Sequence, residues 1–424
     1  MVVVGGGLVA RVARLLGGGA FVRFSPRAGH RLSAVLQVKA RRREFCTRPH
    51  VETRALDSGT RLELHHSLWP HSLCVPYIWL RDHCRCSRCY NHKTCQRIFD
   101  VGNIPLNIRP AVVKTTQDGL QIQWPDGHES EYEYKFLWQN SFDGCRTAHK
   151  VSRHLWKAST FPAAHLTTVP LEELCDPEKN GARKLMYSII QNGLAFISEV
   201  PADVESTRAA VEKFCTIKKT FYGELYVMHG TNYDHLDTAY STESIGAHTD
   251  GTYFSQAARI QVFHCLQTAT GGGENLLVDG FNVAKQFHEK HPEGYAFLSS
   301  EAVPSEYIED GYHFMSLDTI FKHHPVTGNI QQIRYNIYDR APLSSLPMEK
   351  LQEFYLHFCN LTKIIRNPRN EYSLKLEPGT VLLIDNWRVM HGRANFTGTR
   401  TMSGCYLDND EFTSKARILK VQME

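Results

Sequence analysis

Apolar and polar residues alternate in two short stretches of residues 51–140. Arg61-Leu62-Glu63-Leu64 places two leucines on one side of an extended chain, and Gly119-Leu120-Gln121-Ile122-Gln123-Trp124 repeats the pattern before a Pro-Asp-Gly turn. Alternation with a period of two is typical of a half-buried β-strand. We therefore predict a strand-rich domain over residues 51–140, followed by a polar linker over residues 141–170.

Residues 171–424 combine short strands with a few helices that are grouped along the chain. Helical patterns cover, approximately, residues 177–190, 204–219, 281–299 and 347–366. Strand patterns cover residues 193–197, 258–266, 380–384 and 401–406. Numerous short strands with locally grouped helices favour a sandwich or jelly roll over a parallel α/β sheet. We expect an α+β protein, mainly β with helices, whose second domain covers residues 171–424.

The positive charge of the chain is concentrated at its N-terminus. There are 48 Lys and Arg against 44 Asp and Glu, but residues 1–43 hold nine bases and no acid, which leaves 39 bases against 44 acids elsewhere. The nine are Arg11, Arg14, Arg23, Arg27, Arg31, Lys39, Arg41, Arg42 and Arg43. An Arg-rich, acid-free segment with one apolar helical face predicts a mitochondrial transit peptide, and a disordered basic tail is the alternative. The acidic remainder argues against a nucleic-acid partner.

Three cysteines, Cys84, Cys86 and Cys89, lie within six residues of one another. Thiolates are preferred zinc ligands, and a structural zinc site needs four ligands in a tetrahedral arrangement. We predict that His128, in the Pro-Asp-Gly turn, supplies the fourth ligand. The rivals for this position are His83, His92 and Cys95. Because nothing implies an open coordination position, the predicted site is structural, and thiols without metal are the alternative.

Two His-x-Asp pairs occur among the 22 histidines, His235-Leu236-Asp237 and His248-Thr249-Asp250. Alternate residues of a strand point the same way, so such a pair can supply two ligands of an iron site built from two histidines and one carboxylate. The residues downstream favour the second pair, because a predicted strand and then a glycine-rich turn follow it.

A late strand, residues 380–384, leads into a turn that presents His391. This histidine is the candidate for the third iron ligand, although a core histidine is the alternative for that residue alone. Nine residues further on, Arg400 opens the next predicted strand, where its guanidinium can form a bidentate pair with a dicarboxylate co-substrate. Such a combination is far less expected by chance than either His-x-Asp pair.

Several further motifs occur in order after residue 69. They are Trp79-Leu80-Arg81-Asp82-His83-Cys84, Trp124-Pro125-Asp126, Leu277-Val278-Asp279-Gly280-Phe281, Asp385-Asn386-Trp387-Arg388 and His391-Gly392-Arg393. With the His248-Thr249-Asp250 pair, the chain resembles the Fe(II)- and 2-oxoglutarate-dependent dioxygenases of the gamma-butyrobetaine/trimethyllysine hydroxylase family. We accordingly expect a double-stranded β-helix (jelly-roll, cupin-like) catalytic domain and a small N-terminal zinc-binding β domain.

The resemblance implies roles for individual residues. The implied iron ligands are His248, Asp250 and His391, and Arg400 grips the distal carboxylate of 2-oxoglutarate. The implied zinc ligands are Cys84, Cys86, Cys89 and His128. One departure is Asn275, which stands where family members usually carry Ser or Thr near 2-oxoglutarate, so we assign it no ligand role. Ascorbate is expected to keep the iron reduced.

Both substrates of the family carry a trimethylammonium group, which donates no hydrogen bond and is best held by aromatic faces. By resemblance, the aromatic cage consists of Tyr222, Tyr226, Tyr240 and Tyr406. At position 226 the resemblance would lead us to expect tryptophan, so the cation–π attraction there is expected to be weaker. Ordinary core packing is the alternative for each tyrosine taken singly.

Trimethyllysine differs from butyrobetaine in carrying an α-ammonium group. Asp237 would pair with that group and repel a lone carboxylate, and an unpaired buried charge is costly. Gly251 replaces a tyrosine of butyrobetaine-type enzymes, and Asn336 can donate to the substrate carboxylate. The resemblance therefore favours hydroxylation of N6,N6,N6-trimethyl-L-lysine at C3, the first step of carnitine biosynthesis. Gamma-butyrobetaine hydroxylation is the alternative, and a non-enzymatic zinc-stabilised binding protein is the remote one.

The expected location follows from the N-terminal segment and the resemblance. A transit peptide predicts delivery to the mitochondrial matrix. Outside the N-terminal segment, no window of the sequence approaches 18 uninterrupted apolar residues, so no membrane span is expected. The expected assembly is a homodimer, and the expected partner is the small-molecule substrate.

Overall fold

The computed structural model describes residues 50–56, 59–147, 151–161, 166–229, 241–309 and 311–421. The predicted transit peptide lies outside the described residues, and so do Asp237 and Tyr240. The chain forms two compact units that divide between Ser130 and Glu131. The domain and linker boundaries expected from the sequence, at residues 140 and 171, stay predictions.

The first unit is built from short antiparallel strands and one helical turn. Its elements are β1 (Val51–Leu56), β2 (Arg61–His66), β3 (Leu73–Pro76), α1 (Tyr77–Asp82), β4 (Tyr90–Asn91), β5 (Gln96–Arg97), β6 (Val112–Thr115), β7 (Gly119–Gln123) and β8 (Glu129–Glu133), the last of which crosses the division. They form the sheets β1-β2-β3, β4-β5 and β6-β7-β8. The leucines of the first alternating stretch, Leu62 and Leu64, are buried, as the pattern predicts.

The second unit contains longer helices and two larger sheets. Its helices are α2 (Tyr134–Gln139), α3 (Phe142–Thr147), α4 (Leu171–Cys175), α5 (Gly181–Asn192), α6 (Val204–Phe214), α7 (Gly280–Lys290), α8 (Pro292–Ser300), α9 (Met348–Ile365) and α10 (Asn409–Ile418). Three-residue 3₁₀ helices lie at Val101–Asn103 in the first unit, and at Ala158–Thr160 and Pro177–Lys179 in the second. Among the described residues, no helix is both long and apolar enough to cross a bilayer.

The strands of the second unit are short. They are β9 (Thr168–Pro170), β10 (Leu194–Ser198), β11 (Ile217–Lys218), β12 (Tyr226–His229), β13 (Ile245–His248), β14 (Ile260–Gln267), β15 (Gly271–Gly272), β16 (Asn275–Asp279), β17 (Ala302–Glu309), β18 (Tyr312–Thr319), β19 (Phe321–His323), β20 (Ile330–Ile333), β21 (Tyr372–Leu374), β22 (Val381–Asp385), β23 (Val389–Arg393), β24 (Phe396–Thr397) and β25 (Thr401–Leu407).

Two sheets of the second unit share a hydrophobic core. The major sheet has the order β11-β25-β14-β22-β10-β9, with β12 also paired to β25, and the minor sheet has the order β13-β23-β16-β21. Leu382 and Ile384 of the major sheet pack in one cluster with Leu277 and Val389 of the minor sheet. The smaller pairs are β15-β24, β17-β18 and β19-β20. This double-sheet arrangement confirms the expected jelly-roll domain in a mixed α and β fold.

Helices cover the outer faces of the two sheets. Val381 and Leu383, which alternate with the inward residues of β22, pack with Ile189 of α5, Phe214 of α6 and Phe412 of α10. On the other side, α7, α8 and α9 pack against β16 and β23 around Phe287, Phe354 and Met390. Because the strands bury both faces, their sequences are almost continuously apolar, as in Val381–Asp385.

The helix predicted over residues 204–219 is wrong at its C-terminal end. Helix α6 stops at Phe214, Cys215 is extended, and Ile217 and Lys218 pair with the end of β25. Hydrogen bonds to the sheet outweigh the helical pattern here, since β-branched residues fit a strand well. The run predicted over residues 281–299 is two helices, because His291-Pro292 interrupts it.

Candidate active site

Strands of the minor sheet position the two histidines and the carboxylate. His248 ends β13 and lies directly opposite His391 of β23 in the antiparallel pairing. Asp250 follows two residues later, at a turn where Gly251 has a φ of 68°. A Cβ at position 251 would lie 3.0 Å from the Phe254 ring, so glycine is needed for both conformation and space. Folding thus brings His248, Asp250 and His391 together in one cluster at the end of β13.

The three side chains converge on a point suitable for a metal ion. Nε2 of His248 lies 3.2 Å from one Asp250 oxygen, and Nε2 of His391 lies 3.4 Å from the other. All three ligand atoms lie within 4.8 Å of one another. Two imidazoles and one carboxylate on one face are the donor set that mononuclear Fe(II) sites use. The residues present therefore fit Fe(II).

The charges in this cluster are strongly coupled. Burial by itself would raise the pKa of Asp250, but the attraction and hydrogen bonds of His391 and His248 outweigh it, and the pKa lies well below the usual value. Burial would likewise lower the pKa of His248, whereas Asp250 raises it overall. A carboxylate that stays ionised between two imidazoles is ready to bind a cation.

Hydrogen bonds from backbone and side-chain groups hold His248 and Asp250 in place. Nδ1 of His248 lies 2.9 Å from the carbonyl oxygen of Gly246, which leaves Nε2 as the metal-facing nitrogen. The Asn386 amide clamps Asp250, accepting from its N–H at 2.8 Å and donating to its carbonyl at 3.0 Å. The Tyr406 hydroxyl donates to Asp250 Oδ2 at 3.0 Å.

Two buried ion pairs stabilise the turn between β22 and β23, which carries Asn386. Arg259 Nη2 lies 2.7 Å from Asp385, and Arg388 Nη2 lies 2.8 Å from Asp279, the N-cap residue of α7. Each guanidinium and each carboxylate is almost completely buried. Breaking a buried pair leaves an uncompensated charge, so these contacts keep the turn in one conformation.

Arg400 places a buried cation in the same cleft. Only 7% of its surface is exposed, and Asn275 Oδ1 accepts from its Nη2 at 3.4 Å. No carboxylate among the described residues pairs with it. A buried guanidinium needs an anionic partner, so the site fits a carboxylate of 2-oxoglutarate. Asn275, to which we assigned no ligand role from the sequence, therefore contacts the guanidinium of Arg400.

Three of the four predicted cage tyrosines come together. The Tyr226 ring centroid lies 5.6 Å from that of Tyr406 and 6.1 Å from that of Tyr222. Gln261 donates to the Tyr226 hydroxyl. Burial raises the pKa of Tyr226 and of Tyr406 well above the usual value, so both rings stay neutral. Tyr240 lies outside the described residues.

The cleft contains further residues that the sequence did not single out. It has a volume of about 940 Å³ including the solvent at its mouth, and its lining includes the His248, Asp250 and His391 side chains, Arg400, the tyrosine rings and Asn336. Additional residues in its lining are Tyr253, Tyr307, Tyr338 and Asp339. Tyr253 and Tyr307 stack with centroids 4.8 Å apart, which extends the aromatic wall from Tyr222. The sequence feature that could have indicated these residues is an excess of tyrosine near position 250 and on the hairpin β17-β18.

A second cluster lies in the first unit. His128 Nε2 lies 3.3 Å from Cys84 Sγ and 3.6 Å from the sulfurs of Cys86 and Cys89. The turn that presents His128 needs a φ of 76° at Gly127. The rivals lie elsewhere: His83 contacts the carbonyl of Trp79, His92 that of Arg85, and the Cys95 thiol that of His92.

Burial and hydrogen bonds shift the pKa values of two thiols in this cluster in opposite directions. Burial raises the pKa of Cys84 to about 11. Burial also favours a higher pKa for Cys86, but hydrogen bonds from the backbone of Arg88 and Cys89 and from neighbouring thiols outweigh it and lower the pKa. Three thiols and an imidazole with no fifth ligand form the donor set of a closed tetrahedral zinc site.

Comparison of the sequence with protein families gives two matches. Residues 154–406 match the family described as taurine catabolism dioxygenase TauD, TfdA family. Residues 57–138 match the family described as gamma-butyrobetaine hydroxylase-like, N-terminal. The two matches fall on the regions that contain the candidate iron cluster and the cysteine cluster, respectively.

Relatives of similar length match most of the chain. Mitochondrial trimethyllysine dioxygenase of Homo sapiens is 38% identical over 350 residues, which are 82% of this chain and 83% of that protein. The Mus musculus protein of the same name is 39% identical over 348 residues, 81% of this chain and 82% of that protein. Trimethyllysine dioxygenase of Neurospora crassa is 30% identical over 383 residues, 81% of this chain and 80% of that protein.

Solved structures that align with this chain have much lower sequence identity to it. A taurine dioxygenase from Burkholderia xenovorans has a TM-score of 0.44 and 15% identity, and the match covers 58% of this chain and 91% of that one. AAD-2 in complex with Mn(II) and N-oxalylglycine has a TM-score of 0.44 and 14% identity, with 60% of this chain and 97% of that one covered.

Proposed function

The chain belongs to the TauD, TfdA family of dioxygenases, and from that premise we propose that it hydroxylates N6,N6,N6-trimethyl-L-lysine at C3. One observation carries the proposal: a single cleft combines the His248, Asp250 and His391 cluster, the buried Arg400 and a wall of tyrosine rings. Relatives named trimethyllysine dioxygenase support the choice of substrate. The product is 3-hydroxy-N6,N6,N6-trimethyllysine, which makes the reaction the first step of carnitine biosynthesis.

The residues of the cleft have separate binding roles. His248, Asp250 and His391 would hold Fe(II), and Arg400 would hold the distal carboxylate of 2-oxoglutarate. When bound, Fe(II) and 2-oxoglutarate would allow O2 to hydroxylate an unactivated carbon: one oxygen atom enters the product, and the other enters succinate as 2-oxoglutarate loses CO2. Asn386 and the ion pairs around it keep Asp250 in one position during turnover. We propose that ascorbate keeps the iron reduced.

The protein's contribution to catalysis is positioning of C3. The faces of Tyr222, Tyr226 and Tyr406, together with Tyr240, hold the trimethylammonium group, because that group cannot donate hydrogen bonds. Asp237 and Asn336 hold the α-ammonium and the carboxylate at the other end. Fixing both ends of a flexible chain leaves one carbon near the metal and removes much of the entropic cost of reaction.

With O2 present, protein loaded with Fe(II), 2-oxoglutarate and ascorbate is expected to form succinate and hydroxylated product in equal amounts from trimethyllysine. Butyrobetaine, offered separately, is expected to react slowly, because its lone carboxylate leaves the acidic end of the cleft unpaired. Succinate and both hydroxylated betaines are measured by mass spectrometry. Equal activity on the two betaines contradicts the substrate proposal, whereas no 2-oxoglutarate consumption with either supports a binding protein.

We further propose that Cys84, Cys86, Cys89 and His128 bind a structural zinc ion. The distances between His128 and the three sulfurs support a closed cluster, and Arg81 Nη1 donates to Cys89 Sγ at 3.4 Å. Zinc binds cysteine as the thiolate, so zinc binding would release the thiol protons. We also propose residues 51–140 as the zinc-binding domain, residues 141–170 as the linker and residues 171–424 as the dioxygenase domain.

Cys86→Ser is expected to remove zinc from the purified protein and to lower its melting temperature by at least about 4 °C, because metal binding contributes folding free energy. Metal content by mass spectrometry and thermal melting check this. Cys95→Ser is the matched control, since that exposed thiol lies outside the cluster. If Cys86→Ser retains equimolar zinc, or if the control loses as much, the ligand assignment is wrong.

Location and assembly complete the proposal. Relatives carry the word mitochondrial in their names, which supports a mitochondrial location. We propose that residues 1–43 act as the transit peptide and that the enzyme works in the matrix. We also propose a homodimer as the assembly.

A further inference from the structure

The Tyr226 side chain lies across the neighbouring strand, where a glycine gives it space. In the antiparallel pairing of β12 with β25, Tyr226 is directly opposite Gly404. A Cβ on Gly404 would lie 2.5 Å from the nearest carbon of the Tyr226 ring and 2.6 Å from its hydroxyl oxygen. Both distances are far shorter than van der Waals contact, so any residue larger than glycine would displace the ring. The ring therefore rests on the backbone of β25.

Gln261 of β14, the strand on the other side of β25, binds the hydroxyl of Tyr226. Gln261 is opposite Tyr406 in the pairing of β14 with β25, and alternate residues of a strand share one face of the sheet. Gln261 Nε2 donates to the Tyr226 hydroxyl and, at 3.3 Å, to the carbonyl oxygen of Val262. The Tyr226 side chain is thus fixed at its base by β12 and at its tip by β14.

Core packing does not explain why residue 261 is a glutamine. Its exposed fraction is 0%, and its Oε1 atom has no hydrogen-bond partner among the described residues. A buried acceptor without a partner lowers the free energy of unfolding. Leucine is similar in size and would fill the same space without that acceptor. What glutamine supplies here, and leucine does not, is the N–H donor to Tyr226.

We propose that Gln261 and Gly404 are positioning residues that hold the Tyr226 ring as one face of the site for the quaternary ammonium group. This role rests on the proposed function, because it presupposes that the tyrosine rings bind trimethylammonium. A cation gains from an aromatic ring only when it lies over the ring face, so a ring that can turn away gives a weaker attraction. The planes of the Tyr226 and Tyr406 rings are inclined by 43°. Fixing Tyr226 therefore preserves a site with two converging faces.

Gln261→Leu tests this role, because it keeps the volume of the side chain and removes the donor to Tyr226. The variant is expected to bind trimethyllysine about 10-fold more weakly than the parent, as loss of part of a desolvated cation–π attraction would produce. In 2-amino-7,7-dimethyloctanoic acid a carbon atom replaces the quaternary nitrogen. This neutral analogue is expected to bind parent and variant within about twofold, because it gains no cation–π attraction. Calorimetry of the Fe(II)-loaded protein without oxygen gives both affinities.

A double-mutant cycle shows whether Gln261 acts through the hydroxyl of Tyr226. Tyr226→Phe keeps the ring and removes the hydroxyl, so adding Gln261→Leu to it is expected to change trimethyllysine affinity by less than about twofold. Gly404→Ala is expected to reproduce the selective loss seen in Gln261→Leu, because the new Cβ displaces the ring. Gln267→Leu is the matched control, since this exposed glutamine of the same strand does not line the cleft, and it is expected to change neither affinity.

Thermal melting accompanies the binding measurements. The melting temperature of Gln261→Leu is expected to stay within about 3 °C of the parental value, because removal of the unpartnered acceptor offsets the lost hydrogen bond. Equal weakening of both ligands by this variant would indicate a structural role. Unchanged trimethyllysine affinity would exclude any role of Gln261 in binding. Each of these two results overturns the proposal.

Two further results would also contradict the proposed role. A 10-fold loss that persists when Gln261→Leu is added to Tyr226→Phe would show that the effect does not pass through the hydroxyl. Parental affinities in Gly404→Ala would show that the ring does not need the space above that residue. A parent protein that binds no trimethyllysine would overturn the proposed function together with this role, whereas a parent that binds it while the variants behave as the parent overturns this role alone.

Discussion

Replacing Asp250 with asparagine is expected to lower iron affinity and turnover by more than about 100-fold, because loss of an outer-shell contact alone costs 10- to 100-fold in metal sites and Asp250 is a ligand candidate itself. The substitution keeps the size of the side chain and its backbone clamp from Asn386. What it removes is the negative charge between the Nε2 atoms of His248 and His391. A neutral amide offers a metal cation a much weaker partner than a carboxylate.

Iron affinity is measured by anaerobic titration, and turnover by succinate formation. Glu243→Gln is the control, because this exposed side chain precedes β13 and does not line the cleft. The melting temperatures of both variants and the parent show whether the fold is intact. Parental iron affinity in Asp250→Asn would show that the cluster is not the metal site.

Replacing Arg400 with methionine is expected to raise KM for 2-oxoglutarate at least about 100-fold, since a buried charge pair that loses one member costs 3–5 kcal/mol. Arg400 is 7% exposed, and its guanidinium has no carboxylate partner among the described residues, so a bound anion would be its principal counterion. Iron affinity is expected to stay near the parental value, because Arg400 is not a member of the metal cluster.

Co-substrate analogues separate charge recognition from a general loss of structure. A 2-oxo acid with an apolar tail in place of the distal carboxylate is expected to support turnover by the parent and by Arg400→Met about equally, because it makes no ion pair with residue 400. Arg400→Lys is expected to have a KM for 2-oxoglutarate between those of the parent and Arg400→Met, since an ammonium keeps the charge but not the bidentate geometry. An unchanged KM for 2-oxoglutarate in Arg400→Met would contradict the role of this residue.

Residues with a fixed chemical role could be predicted from the sequence because their types and spacing are restrictive. The pairing of β13 with β23 brings His391 opposite His248 although 143 positions separate them in the chain. The choice of His128 over three nearer residues likewise agrees with the geometry of the cysteine cluster. In each case only imidazole, thiolate or carboxylate side chains suit the metal, so few candidates exist.

Other contributors act through tertiary contacts that leave no regular pattern in the sequence. Asn386 belongs to a conspicuous motif, but its role as a clamp depends on how the β22–β23 turn meets Asp250. Asp339 and Tyr307 face the cleft because a hairpin and a turn fold over it. The early end of α6 has the same origin, since pairing with β25 decides the conformation of Ile217.

A competition reaction tests the central claim most directly. Trimethyllysine and gamma-butyrobetaine at equal concentration are supplied to one sample of protein with Fe(II), 2-oxoglutarate and ascorbate, so that the product ratio equals the ratio of kcat/KM values. We expect at least about 30-fold more hydroxytrimethyllysine than hydroxylated butyrobetaine, as an unpaired charge at the amino-acid end would produce. The hydroxyl group should lie on C3 by nuclear magnetic resonance. A product ratio near one, or an excess of hydroxylated butyrobetaine, would contradict the account.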